Sequence, residues 1–302
     1  AEELRDFFEP DGLSRAFYTS GGSDSVETAL RLARQYHKVR GEAGRVKYLS
    51  LKKGYHGTHF GGASVNGNAN FRTNYEPLLP GCFQIPAPYT YRNPFNEPDP
   101  AKLAQLCLSA LEDEIAFQGA NTIAAFIMEP VLGAGGVIPP HESFMPGVRE
   151  ICSRNGILLI ADEVITGFGR TGDWTGSRHW GVQPDMAATA KAITNGYFPF
   201  GAVMLSEKVA EPFEAKAGPH SFIGHGYTYS GHPVACAADE IAVVGADACL
   251  RFVRLDDLPA QLADHLMAVL PDGALVVVGG TENGGPEDAV PTFVLPTLDG
   301  TW

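Results

Sequence analysis

No run of about 18 uncharged apolar residues occurs in these 302 residues, which excludes a helical membrane span within them. Positive charge is scarce. The 22 Lys and Arg stand against 35 Asp and Glu, a formal net charge of -13 with a pI near 5.1. Nucleic-acid backbones are bound by clustered Lys and Arg, so this balance argues against nucleic acid as the main partner; the acidity serves solubility. Cysteine is scarce as well. Cys82, Cys107, Cys152, Cys236 and Cys249 are odd in number and widely spaced, and none forms C-x-x-C. They read as reduced core residues, which suits the cytoplasm. The opening AEELRDFFEP is acidic and polar, without a signal-peptide pattern. The nucleophile elbow G-x-S-x-G is absent, which lowers an α/β-hydrolase reading. What remains is 44 % hydrophobic and 19 % charged, ordinary for a globular chain of one large domain or two unequal ones.

Helical and strand patterns alternate along the chain. SDSVETALRLARQYHKVRG places Val26, Ala29, Leu30, Leu32 and Ala33 on one stripe, an amphipathic helix that Gly41 can end. RVKYLSL (45–51) reads as a strand, followed by a glycine-rich loop over 54–70. DPAKLAQLCLSALEDEIAFQG (99–119) is a second helix and TIAAFIMEP (122–130) a buried strand. PGVREICSRNG (146–156) is helical, and ILLIADEV (157–164) is a buried strand. MAATAKA is short and apolar, GAVMLSE (201–207) reads as a strand, and so does ALVVVGG (274–280). Solidly apolar strands between helices indicate an α/β fold: a mostly parallel sheet with helices on both faces, which binds ligands at the carboxyl ends of its strands.

Polar residues stand where these strands end. Glu129 closes AAFIMEP, and Asp162 and Glu163 close ILLIADE. Lys191 follows Asp162 by 29 residues, about one crossover unit, in an almost uncharged neighbourhood. A carboxylate and a lysine on adjacent strand ends can face one cavity; a buried ion pair explains the spacing equally well. TSGGSDS (19–25) leads into a helix, and glycines at a helix start let a phosphate approach the free N–H groups, with Ser23 adding a hydroxyl. The same stretch is also an ordinary N-cap, and it matches neither the Walker pattern nor G-x-G-x-x-G. KGYHGTHFGG (53–62) offers Tyr55 or His56 for stacking on a planar ligand. His56 and His59 lack a third ligand at metal-site spacing, which argues against a metal. HGYTYSGHP (225–233) holds hydroxyls and imidazoles that suit phosphate donors or a self-satisfied loop.

FYTSGGSDSVETA, GYHGTHFGG, MEPVLGAGGVIPP, ADEVITGFGRTGDW, TAKAITNGYFPFGAV and HGYTYSGHPVACAA stand in the order found in class III aminotransferases. The sequence resembles that family over about residues 16–238. The resemblance implies a fold type I enzyme that uses pyridoxal 5′-phosphate (PLP). It implies that Lys191 forms the Schiff base with PLP and later moves the substrate proton; an amine in an apolar pocket is readily neutral, hence nucleophilic. It implies that Asp162 contacts the pyridine nitrogen and keeps the ring an electron sink. By the same resemblance Val164 packs on one ring face and Tyr55 on the other, with His56 and Glu129 beside the cofactor. Gly22 and Ser23 hold the phosphate, while Gly21 stands where relatives often carry serine. Thr228 matches a threonine that reaches the phosphate of the neighbouring subunit, which requires a homodimer. GYHGTHFGGASVNG, LLPG and YRNPF look most like the ω-amino acid:pyruvate transaminases (ω-transaminases), which pass an amino group from an ω-amino acid or amine to a keto acid such as pyruvate.

The pattern departs from the family at both ends. The N-terminal segment that helps build the substrate pocket in relatives is expected to be missing here. DEIAVVGADACLRFVRLDDLPAQLADHLMAVL and PTFVLPTLDGTW do not match the family pattern, and no substrate-carboxylate arginine is assigned. The expected organisation is a PLP-binding large domain over 1–245 and a small α+β C-terminal portion, incomplete or divergent, over 246–302. Alternatives on the same scaffold are an aminomutase, a decarboxylase or a catalytically silent fragment.

Overall fold

Ser50, Tyr48 and the apolar run around Leu49 form a buried strand because both of their faces are covered, and the same holds for each central strand of the sheet. In the computed structural model the described residues are 2–215, 218, 220–236, 266–269, 275–278 and 293–295. The chain divides into two compact units, Ala1–Asp239 and Glu240–Trp302. The strands of the first are β1 (Leu13–Thr19), β2 (Lys47–Leu51), β3 (Cys82–Ile85), β4 (Ile123–Met128), β5 (Leu158–Asp162), β6 (Met186–Thr189) and β7 (Gly201–Ser206). Its helices are α1 (Glu2–Phe8), α2 (Gly22–Val39), α3 (Phe60–Val65), α4 (Pro100–Gln118), α5 (Phe144–Arg154), α6 (Gly176–His179) and α7 (Glu207–Glu214). The expected helices and strands lie within a few residues of these bounds. The strands β1 and β3 and the helices α1, α6 and α7 carry no pattern strong enough to announce them, and the stretch expected as a glycine-rich loop over 54–70 contains the helix α3.

The seven strands form one sheet in the order β1-β7-β6-β5-β4-β2-β3. The pairings from β6 through to β3 are parallel, and β7 runs antiparallel to both β1 and β6. The mostly parallel sheet is therefore as expected, with one reversed strand. Because β1 and β6 flank the same reversed strand, the carboxyl ends of β1, β2, β4, β5 and β6 share one edge.

Two cores sandwich the sheet. On one face Leu49, Phe126, Met128 and Leu159 pack with Leu103, Cys107 and Leu111 of α4 and Val148 of α5. On the other, Tyr48, Ile127, Leu158 and Ile160 pack with Val26, Ala29, Leu30 and Ala33 of α2 and Val209 of α7. Alternate residues of β4 and β5 go to opposite cores, the period-two pleat made visible. Asp99 caps α4 by accepting from Lys102 N at 2.8 Å, and Gly119, at φ 84°, ends it. Burial pushes the thiols of Cys107 and Cys152 up to about 12, as expected of inert core cysteines. Cys249 lies outside the described residues.

In the second unit, β8 (Leu266–Val269), β9 (Leu275–Val278) and β10 (Phe293–Leu295) form an antiparallel sheet in the order β10-β9-β8. The strand expected over 274–280 is β9. The rest of the unmatched tail lies outside the described residues.

Candidate active site

A cavity of about 390 Å³ opens at the shared carboxyl edge of the sheet. Its walls come from five chain segments. Gly22 and Ser23 start α2 just after β1, and Tyr55 and His56 follow β2. Glu129 follows β4, Asp162 ends β5, and Lys191 lies just past β6. Asp162 pairs with Ala188 across the β5–β6 ladder, so the carboxylate and the lysine are three residues out of step on neighbouring strands. Every site residue anticipated from sequence except Thr228 lines this cavity: Gly22, Ser23, Tyr55, His56, Glu129, Asp162, Val164 and Lys191.

The polar floor is buried. His56 Nδ1 donates to Asp162 Oδ2 at 2.8 Å, and Val164 N donates to Asp162 Oδ1 at 3.2 Å. Both side chains are nearly inaccessible, at 0 % and 4 %. His56 Nε2 is buried without a partner. Glu129 accepts from Tyr55 N at 3.0 Å and from Gly133 N at 2.8 Å, so it fastens the loop that carries the tyrosine. Burial raises the Glu129 carboxyl above the ordinary range; nearby His56 opposes the rise and Asp162 adds to it.

One end of the cavity is built from the start of α2 and the loop after β2. Gly57, at φ 94°, approaches so closely that a Cβ there would stand 2.7 Å from Ser23 Oγ. Thr58 N donates to Ser23 Oγ at 3.1 Å, and His59 reaches Asp24 at 2.6 Å. His59 thus belongs to this scaffold, and the described residues contain no cluster of side chains that could hold a metal ion.

Lys191 is not enclosed as its alanine-rich neighbourhood suggests. It is exposed along the cavity, at φ 51° on a single 3-10 turn, because the strand ends at Thr189 and the chain must leave the sheet there. Thr228 lies in an exposed turn outside this cavity. Its segment is strapped along α2: Thr28 Oγ1 meets His225 Nε2 at 2.9 Å, Tyr227 Oη donates to Asp24 O at 3.2 Å, and Ser230 Oγ donates to Tyr18 O at 2.8 Å.

Several participants were not singled out from sequence. Thr194, Phe198 and Phe200 complete the wall beyond Lys191. Glu163, which the sequence does set beside Asp162 at the end of ILLIADE, points away from the cavity. It accepts from the backbone of Gly176 and Ser177 and from the hydroxyls of Thr166 and Ser177, tying the strand end to α6. Its alternation with Asp162 was the available signal, since neighbours on a strand face opposite ways.

The family model "Aminotransferase class-III" matches residues 1–270, beyond both ends of the stretch that carries the resemblance. A probable aminotransferase of Mycobacterium tuberculosis is 40 % identical over 230 residues, covering 76 % of this chain and 48 % of that protein. An omega-aminotransferase of Caulobacter vibrioides is 41 % identical over 257 residues, covering 84 % and 56 %. Among solved structures, an amine transaminase from an uncultivated Pseudomonas species, in its PLP-bound form, superposes with a TM-score of 0.81. It shares 50 % identity and covers 87 % of this chain and 58 % of that one. The chain thus spans about half the length of the curated relatives it matches. The ordered cavity residues, the mostly parallel sheet and the match over residues 1–270 lead to one statement: this chain belongs to the class III aminotransferases.

Proposed function

We propose that this chain carries the PLP site of an aminotransferase that moves an amino group from an amine or ω-amino acid to a keto acid such as pyruvate. One observation carries the reading: Lys191, the buried Asp162 and the start of α2 at Gly22–Ser23 converge on one cavity. These residues fit PLP by their chemistry. A carboxylate suits a protonated pyridine nitrogen, and a helix start rich in glycine suits a phosphate. A primary amine suits an aldehyde. When bound, PLP supplies an electron sink for the substrate carbon.

The protein residues divide the remaining work. Asp162 presents its carboxyl group at the cavity floor, oriented by His56 and Val164 N. Lys191 is the residue that would hold the cofactor through its primary amine, and that amine is placed to hold or move a proton at the substrate carbon. Tyr55 and Val164 would flank the cofactor, and the Gly22 and Ser23 backbone with the Ser23 hydroxyl would hold its phosphate. Glu129 keeps the Tyr55 loop in place. Thr228, presented by its strap on α2, completes the site of a second copy in a homodimer. Residues 1–245 act as the PLP-binding large domain and 246–302 as a partial or divergent small domain. Free, buried Cys107 and Cys152 suit a reducing compartment such as the cytoplasm.

Absorption spectra of the purified chain with PLP, before and after borohydride, test the reading. A visible band fixed by borohydride onto Lys191, absent in Lys191→Ala, supports it, together with ping-pong exchange between an amine and pyruvate. A folded protein with no such band overturns it.

A further inference from the structure

Asn66, which no part of the reading above uses, spends every polar group it has. It caps α3, with its N–H on Gly62 O at 3.0 Å and its C=O taken by Arg72 Nη1 at 3.0 Å. Its side chain is buried and reaches back to the loop after β2. His56 N donates to Asn66 Oδ1 at 2.5 Å, and Asn66 Nδ2 donates to Gly57 O at 3.1 Å. The amide orientation is forced, since an N–H needs the oxygen and a C=O needs the nitrogen.

Each of these two loop residues leads to a different part of the site. His56 holds Asp162 through its ring, while Gly57 packs on Ser23 at the start of α2. One amide therefore fixes the peptide from which both halves of the cofactor site are set. Arg72 extends the chain outward by also donating to Ser64 O at 2.9 Å.

We propose that Asn66 is a positioning residue for PLP: its amide clamps the His56–Gly57 peptide and thereby aims the His56 ring at Asp162 while pressing the loop onto Ser23. This rests on the cofactor reading above. The clamp acts through His56 on Asp162 and through Gly57 on Ser23. By the measure of outer partners that orient metal ligands, its loss should cost about tenfold in affinity.

The test uses the full chain and two variants. Asn66→Ala removes both bonds. Asn66→Asp keeps an acceptor for His56 N but sets a carboxylate against Gly57 O. Thermal unfolding establishes that each variant folds. The His56 ring N–H resonance, assigned by its loss in His56→Gln, is followed without PLP, and the PLP dissociation constant is measured separately. The expected result is that Asn66→Ala shifts or loses the His56 ring signal and weakens PLP about tenfold. Asn66→Asp should retain the ring signal and still bind PLP more weakly than the parent. A folded Asn66→Ala with an unchanged His56 signal and unchanged PLP affinity overturns the proposal. So does failure of both variants to fold, which would make Asn66 a scaffold residue. A parent chain that takes up no PLP sinks the cofactor reading instead, and the ring signal still judges the clamp.

Discussion

His56 Nδ1 stands 2.8 Å from Asp162 Oδ2, with both side chains sealed from water. A carboxylate in such a place is held as an acceptor by its donors. Asp162→Asn keeps the shape and removes the charge that favours a protonated pyridine. Turnover of an amine with pyruvate is expected to fall on the order of 100-fold or more, the scale for losing one preorganised electrostatic partner. PLP uptake should persist at higher concentration. Steady-state kinetics beside an equilibrium titration check this.

The exposed turn at Thr228 makes a sharper prediction about assembly. Lys191→Ala and Thr228→Ala chains are each expected to be poorly active. Mixed and allowed to exchange subunits, they should regain activity, because a mixed dimer holds one site with an intact Lys191 and the partner's intact threonine. Activity after mixing, with the oligomer measured by sedimentation, decides it. A strictly additive mixture argues that Thr228 serves no neighbouring site.

Gly57 is strained for any other residue: its φ is 94°, and a Cβ there would stand 2.8 Å from Ser23 Cα. Gly57→Ala should destabilise the fold by about 1–3 kcal/mol. It should also displace Ser23 from the phosphate end, so PLP affinity should drop further than stability alone explains. Urea unfolding and PLP titration separate the two effects.

His37 on α2 sets a pH limit on stability. It is buried, Nε2 meets Ala124 O at 3.0 Å, and Nδ1 has no hydrogen-bond partner. Burial holds its pKa below the ordinary histidine value, with the Ala124 carbonyl opposing that shift. The unfolded chain takes up this proton near about pH 6.5 while the folded chain resists it. The unfolded state therefore binds more protons as pH falls, and stability declines below about pH 6.5. Urea midpoints measured from about pH 8 down to about pH 5 should fall, and His37→Gln should flatten that slope.

Much of the fold was written in local pattern. The stripe of Val26, Ala29, Leu30 and Ala33 has the spacing of one helix face, and the unbroken run Ile123–Met128 has the length and apolar character of a strand buried on both faces. Site residues at strand ends were legible for the same reason: a carboxylate closing an apolar strand has to face something. What local pattern lacked was β1, whose half-buried residues show no alternation, and the reversal of β7, which depends on which neighbours remain free to pair.

The sequence by itself determined the long helices α2, α4 and α5, the apolar strands β2, β4, β5 and β7, and the order of the family's motifs, because periodicity and short motifs are local properties. Alternation separates Asp162 from Glu163, but only the tertiary structure decided what each serves: Asp162 lines the cavity, and Glu163 ties down α6 through Gly176 and Ser177. It alone showed that Lys191 lies open along the cavity, and that Asn66 reaches back to His56. These are facts about partners distant in sequence, and a partner is chosen by packing: each buried polar group takes the nearest group able to satisfy it.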